Sequence, residues 1–261
     1  MRMPSRLTSA LGWLGVAAFW LGAWAIAAHA VELELLLPSP IRVLERLGEL
    51  VVTADFWQAT LASFGRVALG TAAALLIGSL MAVGGALVPL LRRLMMPLLA
   101  IIKATPVASF ILLALVWLER GILPAFMAAL IVLPVFWGNL DAGIAAIDPA
   151  WHELARVYRI PPLRRLRRIY LPAVLPHFVS ACRASLGMAW KAGIAAEVLC
   201  TPPVSMGRQL YETKLYLETT DLFAWTLTVI LLSVGIEYIF MALLNRATVP
   251  AASKGGARDG D

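Results

Sequence analysis

The chain has 261 residues, 61% of them hydrophobic and 15% charged, with a mean hydropathy of +0.81. Soluble domains hold about 45–50% apolar and about 25% charged residues, so a soluble globular protein is excluded and the length is counted in bilayer spans of about 20 residues. The net charge of +6 would suggest nucleic acid in a soluble chain; with no aromatic–basic platform for stacking bases, it points instead to basic loops on the inner side of a membrane.

Residues 1–10, with Arg2 and Arg6, read as a cytoplasmic N-terminus. An apolar run at 11–30 follows and ends at Ala28-His29-Ala30, which resembles a signal-peptidase site. Signal-peptide cores are about 7–15 residues long. This run is longer and carries Trp13, Trp20 and Trp24, so it is read as an uncleaved first span. Residues 31–61 form an extracytoplasmic segment. Within it "LPSPIRVLERLGELV" (37–51) spaces Ile41, Leu44, Leu47 and Leu50 at helical intervals among charges, an amphipathic helix lying on the outer surface.

The membrane core covers 62–246. Apolar stretches of spanning length recur at 62–88, 97–118, 122–144, 171–196 and 222–244, which with the first run makes six transmembrane helices. Only Glu119-Arg120-Gly121 separates the third and fourth. The segment 200–221 is the longest outer loop, polar and aromatic, and 247–261, ending in "SKGGARDGD", reads as a disordered tail. No internal repeat is evident at these boundaries, which weighs against the inverted repeats of many secondary transporters.

Counting basic residues by loop sets the orientation. With the N-terminus inside, the inner loops hold Arg2, Arg6, Arg92, Arg93, Arg156, Arg159, Arg164, Arg165, Arg167, Arg168, Arg246, Lys254 and Arg258. The outer loops hold only Arg42, Arg46, Arg120, Arg208 and Lys214. Both termini are therefore expected in the cytoplasm, together with the loop 148–170. Two cysteines (Cys182, Cys200) and three scattered histidines (His29, His152, His177) offer neither a disulfide framework nor a metal site.

That inner loop is more than a basic anchor. Asp148-Pro149 reads as N-cap and first helical position. Trp151, Leu154, Ala155 and Tyr158 recur as one apolar face, opposite His152, Glu153, Arg156 and Arg159. Pro161-Pro162 ends the helix, and "LRRLRRIY" then feeds the fifth span at Leu171-Pro172. A helix of about ten residues is marginal in water, so it needs the membrane surface, its own protein or a partner to hold it.

Here the sequence resembles the permeases of ATP-binding-cassette (ABC) importers. Their inner loop carries Glu-Ala-Ala, three residues, Gly, nine residues, then Ile-x-Leu-Pro; this chain has Glu153, Leu154 and Ala155, Arg159 at the glycine position, then Ile169, Leu171 and Pro172 at the same spacing. "LPSP" (37–40), "SFGRVALG" (63–70), "KATPVASFILLALVW" (103–117) and "GMAWKAGIAAEVL" (187–199) are similar to the nitrate/sulfonate/taurine subgroup. The resemblance implies an all-α integral membrane protein with the type I importer permease fold, in a bacterial inner membrane and working as a homodimer. It implies a cytoplasmic ATPase subunit gripping a coupling helix around 149–160, where Glu153, Leu154, Ala155, Arg156, Tyr158 and Arg159 would act. It also implies an extracytoplasmic substrate-binding protein. Two departures stand out. Arg159 replaces the motif glycine, with Pro161-Pro162 placed to supply the bend, and the subgroup's Gly-Leu-Gly after the fifth span is Ser205-Met206-Gly207.

No G-x-x-x-x-G-K-[ST] phosphate loop occurs, so ATP-Mg would bind the partner ATPase, leaving no cofactor and no catalytic residue in this chain. Charges in spans cost about 2.5–3.5 kcal/mol each on insertion scales and are candidate pathway residues. Arg183, near the middle of the fifth span, either pairs with Glu237 or lines the pathway. Lys103 either snorkels to the inner surface or faces a cavity near Thr105 and Pro106, where the proline frees a carbonyl. Lys191 and Glu197 either bridge each other or neighbouring helices, or present a cation to an anionic solute. Candidate solutes are nitrate, sulfonates, taurine or a pyrimidine-type vitamin precursor. A secondary transporter or channel would share the six spans and buried charges, with no reason for the Glu-x-Ala helix and its Ile-x-Leu-Pro. A membrane enzyme lacks support, since no nucleophile or paired-carboxylate constellation occurs.

Overall fold

A computed structural model describes residues 6–252; the tail "SKGGARDGD" and the first basic residue, Arg2, lie outside the described residues. Every regular element among them is helical. In chain order these are α1 (Arg6–Val31), α2 (Pro40–Val51), α3 (Ala54–Leu87), α4 (Pro89–Ala104), α5 (Val107–Ala114), α6 (Leu123–Ala145), α7 (Pro149–Val157), α8 (Pro162–Arg165), a π-helical turn (Leu166–Tyr170), α9 (Leu171–Cys200), α10 (Met206–Leu215) and α11 (Thr219–Ala252).

The core is built from α3, α6 and α9, with α6 packed along both of the others. What lets the backbones approach is a row of small side chains every fourth residue. On α3 these are Gly70, Ala74, Gly78 and Ala82; on α9 they are Ala181, Ser185, Ala189 and Gly193; all are buried. Helices in lipid associate by close contact between such residues, because hydrocarbon gives no hydrophobic drive for one helix to seek another. Phe136, fully buried on α6, fills the remaining space and meets Phe178 of α9 edge-on at 5.4 Å. The large apolar side chains point the other way: Leu69, Leu76 and Leu80 on α3 and Val234, Ile239 and Leu243 on α11 are exposed. A soluble monomer rarely shows so much contiguous apolar surface; facing acyl chains, it costs nothing.

Among the described residues three helices are long and apolar enough to cross a bilayer: α3, α6 and α11 over Thr219–Leu244. The expected third span, 97–118, is not one helix. It is α4 and α5, bent by 103° at Thr105-Pro106, and counts as a fourth crossing only if the broken pair is one span. Proline forces the residue before it out of the helical region; Thr105 is extended (φ −81°, ψ 131°), and its hydroxyl donates to the carbonyl of Ile101 at 2.8 Å. Arg92 and Arg93, expected in a loop, lie within α4, where Arg92 clamps Asp141 of α6 through two nitrogens at 2.8–3.1 Å.

The expected surface helix at 37–51 is α2. Ser39 caps it and Val43 is fully buried. It is fastened to α11 as well, since Arg46 donates to both oxygens of Asp221 at 2.6 and 2.8 Å. Two carboxylates around Arg46, Asp221 and then Glu49, hold its guanidinium still further above its usual pKa. The expected polar loop 200–221 contains α10, whose first residue, Met206, is fully buried. Helix α11 continues to Ala252, so the first residues of the expected disordered tail are helical.

Candidate functional site

The motif of the loop 148–170 folds into a short, well-capped helix. Asp148 opens α7: its Oδ1 accepts from the Ala150 amide at 2.8 Å, and Pro149 occupies the first position. Ala155 is buried, 4% exposed, while Glu153, Leu154, Arg156 and Tyr158 are exposed. The small motif residue thus goes inward and the charged and aromatic ones remain available.

The end of α7 explains the motif glycine. The Ile160 amide donates to the Ala155 carbonyl at 3.0 Å and the Arg159 amide to the Arg156 carbonyl at 3.2 Å. That pair of bonds is a Schellman cap, which puts the residue after the C-cap in the left-handed region, where glycine is favoured. Arg159 occupies that position with φ +47°. The arginine keeps the glycine's conformation and carries its strain, so the Pro161-Pro162 pair is not what supplies the turn.

The start of α7 and the second half of the motif face each other across a cleft of about 470 Å³. Ile147, Asp148 and Trp151 form one wall; Arg168, Ile169 and Pro172 form the other. Leu171 is exposed beside it. The constant spacing from Glu153 to Pro172 therefore measures the path from α7 through α8 and the π-helical turn back to the start of α9. Arg165 stiffens that path: it donates to the Tyr170 hydroxyl at 2.6 Å, with its guanidinium carbon 5.2 Å from the ring centroid.

At the opposite end of α9 lies a buried polar knot that sequence reasoning passed over. Glu197, expected to bridge Lys191 or a neighbouring helix or to lie by the pathway, is fully buried and bridges a neighbouring helix. One carboxylate oxygen accepts from Ser63 Oγ at 2.6 Å and from the Gly207 amide at 3.2 Å; the other accepts from Arg66 at 3.0 Å. Arg66 also donates to the carbonyls of Pro203 (3.1 Å) and Val204 (3.2 Å). Both carboxylate oxygens are thus hydrogen-bonded and one faces a guanidinium, the kind of pairing that keeping a charge inside requires. Gly207 is required here, because a Cβ would collide with the backbone and Cβ of Glu197. The neighbouring departure is harmless: Ser205 has φ −153°, open to any residue, and its hydroxyl caps α10 by accepting from the Arg208 amide at 3.1 Å.

The remaining candidates are scattered. Lys191 and Arg183 are exposed on one face of α9, and no ion pair joins Arg183 to Glu237 among the described residues. Lys103 is exposed on α4 and runs beside Gly138 of α6. Thr105 and Pro106 form the break between α4 and α5. Lys103, Arg183 and Lys191 thus lie outside the packed core, and the structure does not bring them to one point. Trp190 of α9 is 3% exposed and donates to the Val229 carbonyl at 3.0 Å.

Residues 74–250 match the family of binding-protein-dependent transport system inner membrane components. The bicarbonate transport system permease protein of Synechocystis is 30% identical over 155 residues, covering 58% of this chain and 54% of that protein. The match thus spans about half of that relative's length. The taurine transport system permease protein of Escherichia coli is 26% identical over 86% of this chain and 84% of its own. A probable ABC transporter permease protein of Haemophilus influenzae is 26% identical over 80% of this chain and 84% of its own.

Proposed function

The chain belongs to the family of binding-protein-dependent transport system inner membrane components, the permeases of ABC transporters, and from that premise we propose that it imports a small anionic solute, driven by an ATPase that grips α7. The observation that carries this reading is α7 itself: a nine-residue helix, capped at both ends, with Ala155 buried and Glu153, Leu154 and Tyr158 presented to the outside. A helix this short does not persist for its own sake. A channel or secondary transporter has no use for it.

In this reading the membrane is crossed six times, with α1 and α9 joining α3, the α4–α5 pair, α6 and α11, and both termini are cytoplasmic. Two copies form the path. Two ATPase subunits, which carry ATP-Mg, seat α7 on the inner side, and an extracytoplasmic binding protein delivers solute to the side of α2 and α10. ATPase closure pushes α7; the cleft at Trp151, Ile169 and Pro172 passes the movement to the foot of α9. The anionic solute class is supported by two things: the names of the bicarbonate and taurine relatives, and exposed Lys103, Arg183 and Lys191, none in an ion pair among the described residues. A cation within a span is costly toward lipid and functional toward water.

The test is uptake by proteoliposomes holding this chain, its ATPase and its binding protein, with labelled taurine and bicarbonate as probes. Glu153→Ala, inserted at the normal level, is expected to cut ATP-driven uptake by about tenfold, the size of one lost charge-assisted hydrogen bond to a partner. Uptake at the unsubstituted rate would remove α7 from the mechanism.

A further inference from the structure

We propose that the cleft at the root of α7 is a binding site for the phosphate headgroup of an anionic phospholipid, clamped by Arg168 with help from Arg164 and Arg167. The proposal rests on the reading that this end of α9 lies at the inner membrane surface. Within α7 it concerns the side opposite Glu153: that residue is two positions, or 200° of helical turn, from Trp151, and Trp151 is the α7 residue that lines the cleft.

Four observations support it. First, the charges are unspent: four arginines fall within five residues, 164–168, and among the described residues none of them is within ion-pair distance of a carboxylate. Arg165 turns inward to Tyr170, while Arg164, Arg167 and Arg168 are exposed. Second, the cleft is the right kind of place. It lies between the end of α6 and the start of α9, the level at which spans leave hydrocarbon for headgroups, and basic pockets there bind anionic headgroups.

Third, its walls have two characters. Ile147, Ile169 and Pro172 are apolar and suit the glycerol and first methylenes of a lipid. Trp151, half exposed, is an aromatic residue of the type that sits at headgroup depth. Guanidinium supplies the paired N–H donors that match phosphate. Fourth, the acid on the wall does not repel the ligand unopposed, because an oxygen of Asp148 is already committed to the Ala150 amide. A headgroup seated here touches both walls, so it would brace α7 against α9 and make coupling depend on the acidity of the inner leaflet.

The experiment is native mass spectrometry of the purified full chain, presented with phosphatidylglycerol, phosphatidylcholine or inorganic phosphate. Phosphatidylglycerol is expected to remain bound where phosphatidylcholine is stripped. Arg168→Gln is expected to weaken its retention about fivefold, the effect of one arginine near an anionic surface, and Arg42→Gln, at the other end of the molecule, is expected to change nothing. Equal retention of the two lipids, or no effect of Arg168→Gln together with Arg164→Gln and Arg167→Gln, would overturn the proposal. Displacement of the lipid by millimolar inorganic phosphate would overturn the lipid as source and assign the site to free phosphate. Unchanged lipid retention with loss of ATPase co-purification in the triple variant would give the cluster to the ATPase instead. None of these readouts uses ATP, so a failure of the coupling assignment at Glu153 leaves this test standing, and the reverse holds too.

Discussion

Arg159 holds a left-handed φ of +47° in a Schellman cap, a conformation that costs a non-glycine residue about 1–2 kcal/mol. Arg159→Gly is therefore expected to raise the thermal stability of the purified chain by a few degrees while leaving α7 in place, and Arg159→Val to lower it; circular dichroism melts in detergent check both. The Arg66–Glu197 knot makes the opposite kind of prediction. Glu197→Leu strands Arg66 beside a desolvated cavity, and breaking a buried pair from one side costs about 3–5 kcal/mol. Loss of folded protein is expected, with Glu197→Leu/Arg66→Met recovering much of it in the same melts; a single variant as stable as the parent would show the knot to be dispensable. The sequence marked Glu197 and left open a bridge to Lys191 or to a neighbouring helix; the second is what forms, with Arg66 of α3. Lys191 is six residues away, 240° round the helix, so the two cannot share a face. Arg66 lay unremarked at the start of an apolar run, and only the fold shows that Ser63, Arg66 and Gly207 converge on one carboxylate.

Among the elements, α7 had a legible start, since Asp148-Pro149 caps it, but of its expected apolar face Trp151, Leu154 and Tyr158 are exposed and only Ala155 is buried. Its end was not legible, because arginine gives no signal for a left-handed cap. Asp148→Ala removes the cap from a helix of nine residues and is expected to destabilise it by about 1 kcal/mol. Amide hydrogen exchange over 149–157 should quicken several-fold while α3 and α6 stay protected; unchanged exchange would mean that Ala155 alone holds the helix. Helix α10 escaped because 200–221 is polar and aromatic. The available cue was Ser205, an N-cap residue, ahead of a run with Arg208 and Glu212 four apart, a pair that the fold closes at 2.7 Å. The α4–α5 break was half seen. Thr105-Pro106 was marked as a place where a carbonyl is freed, yet hydropathy drew one straight span through it, since composition averages over a bend.

At the scale of the whole molecule the arrangement is inverted relative to a soluble protein, with small residues and a polar knot inside and leucines outside. Hydropathy foresaw the membrane class for that reason, and the excess of arginines in the inner loops set an orientation. It did not foresee which helices pack, because small-residue rows on α3 and α9 look like ordinary apolar sequence until they are seen facing α6. The central claim is that α7 is the handle by which an ATPase moves this bundle. The most direct measurement is a cysteine placed at Glu153, co-expressed with the ATPase, and crosslinked in the presence and absence of a non-hydrolysable ATP analogue. The account predicts a specific crosslink whose yield changes with nucleotide. A well-inserted chain that gives no crosslink at Glu153, Arg156 or Tyr158 would contradict it.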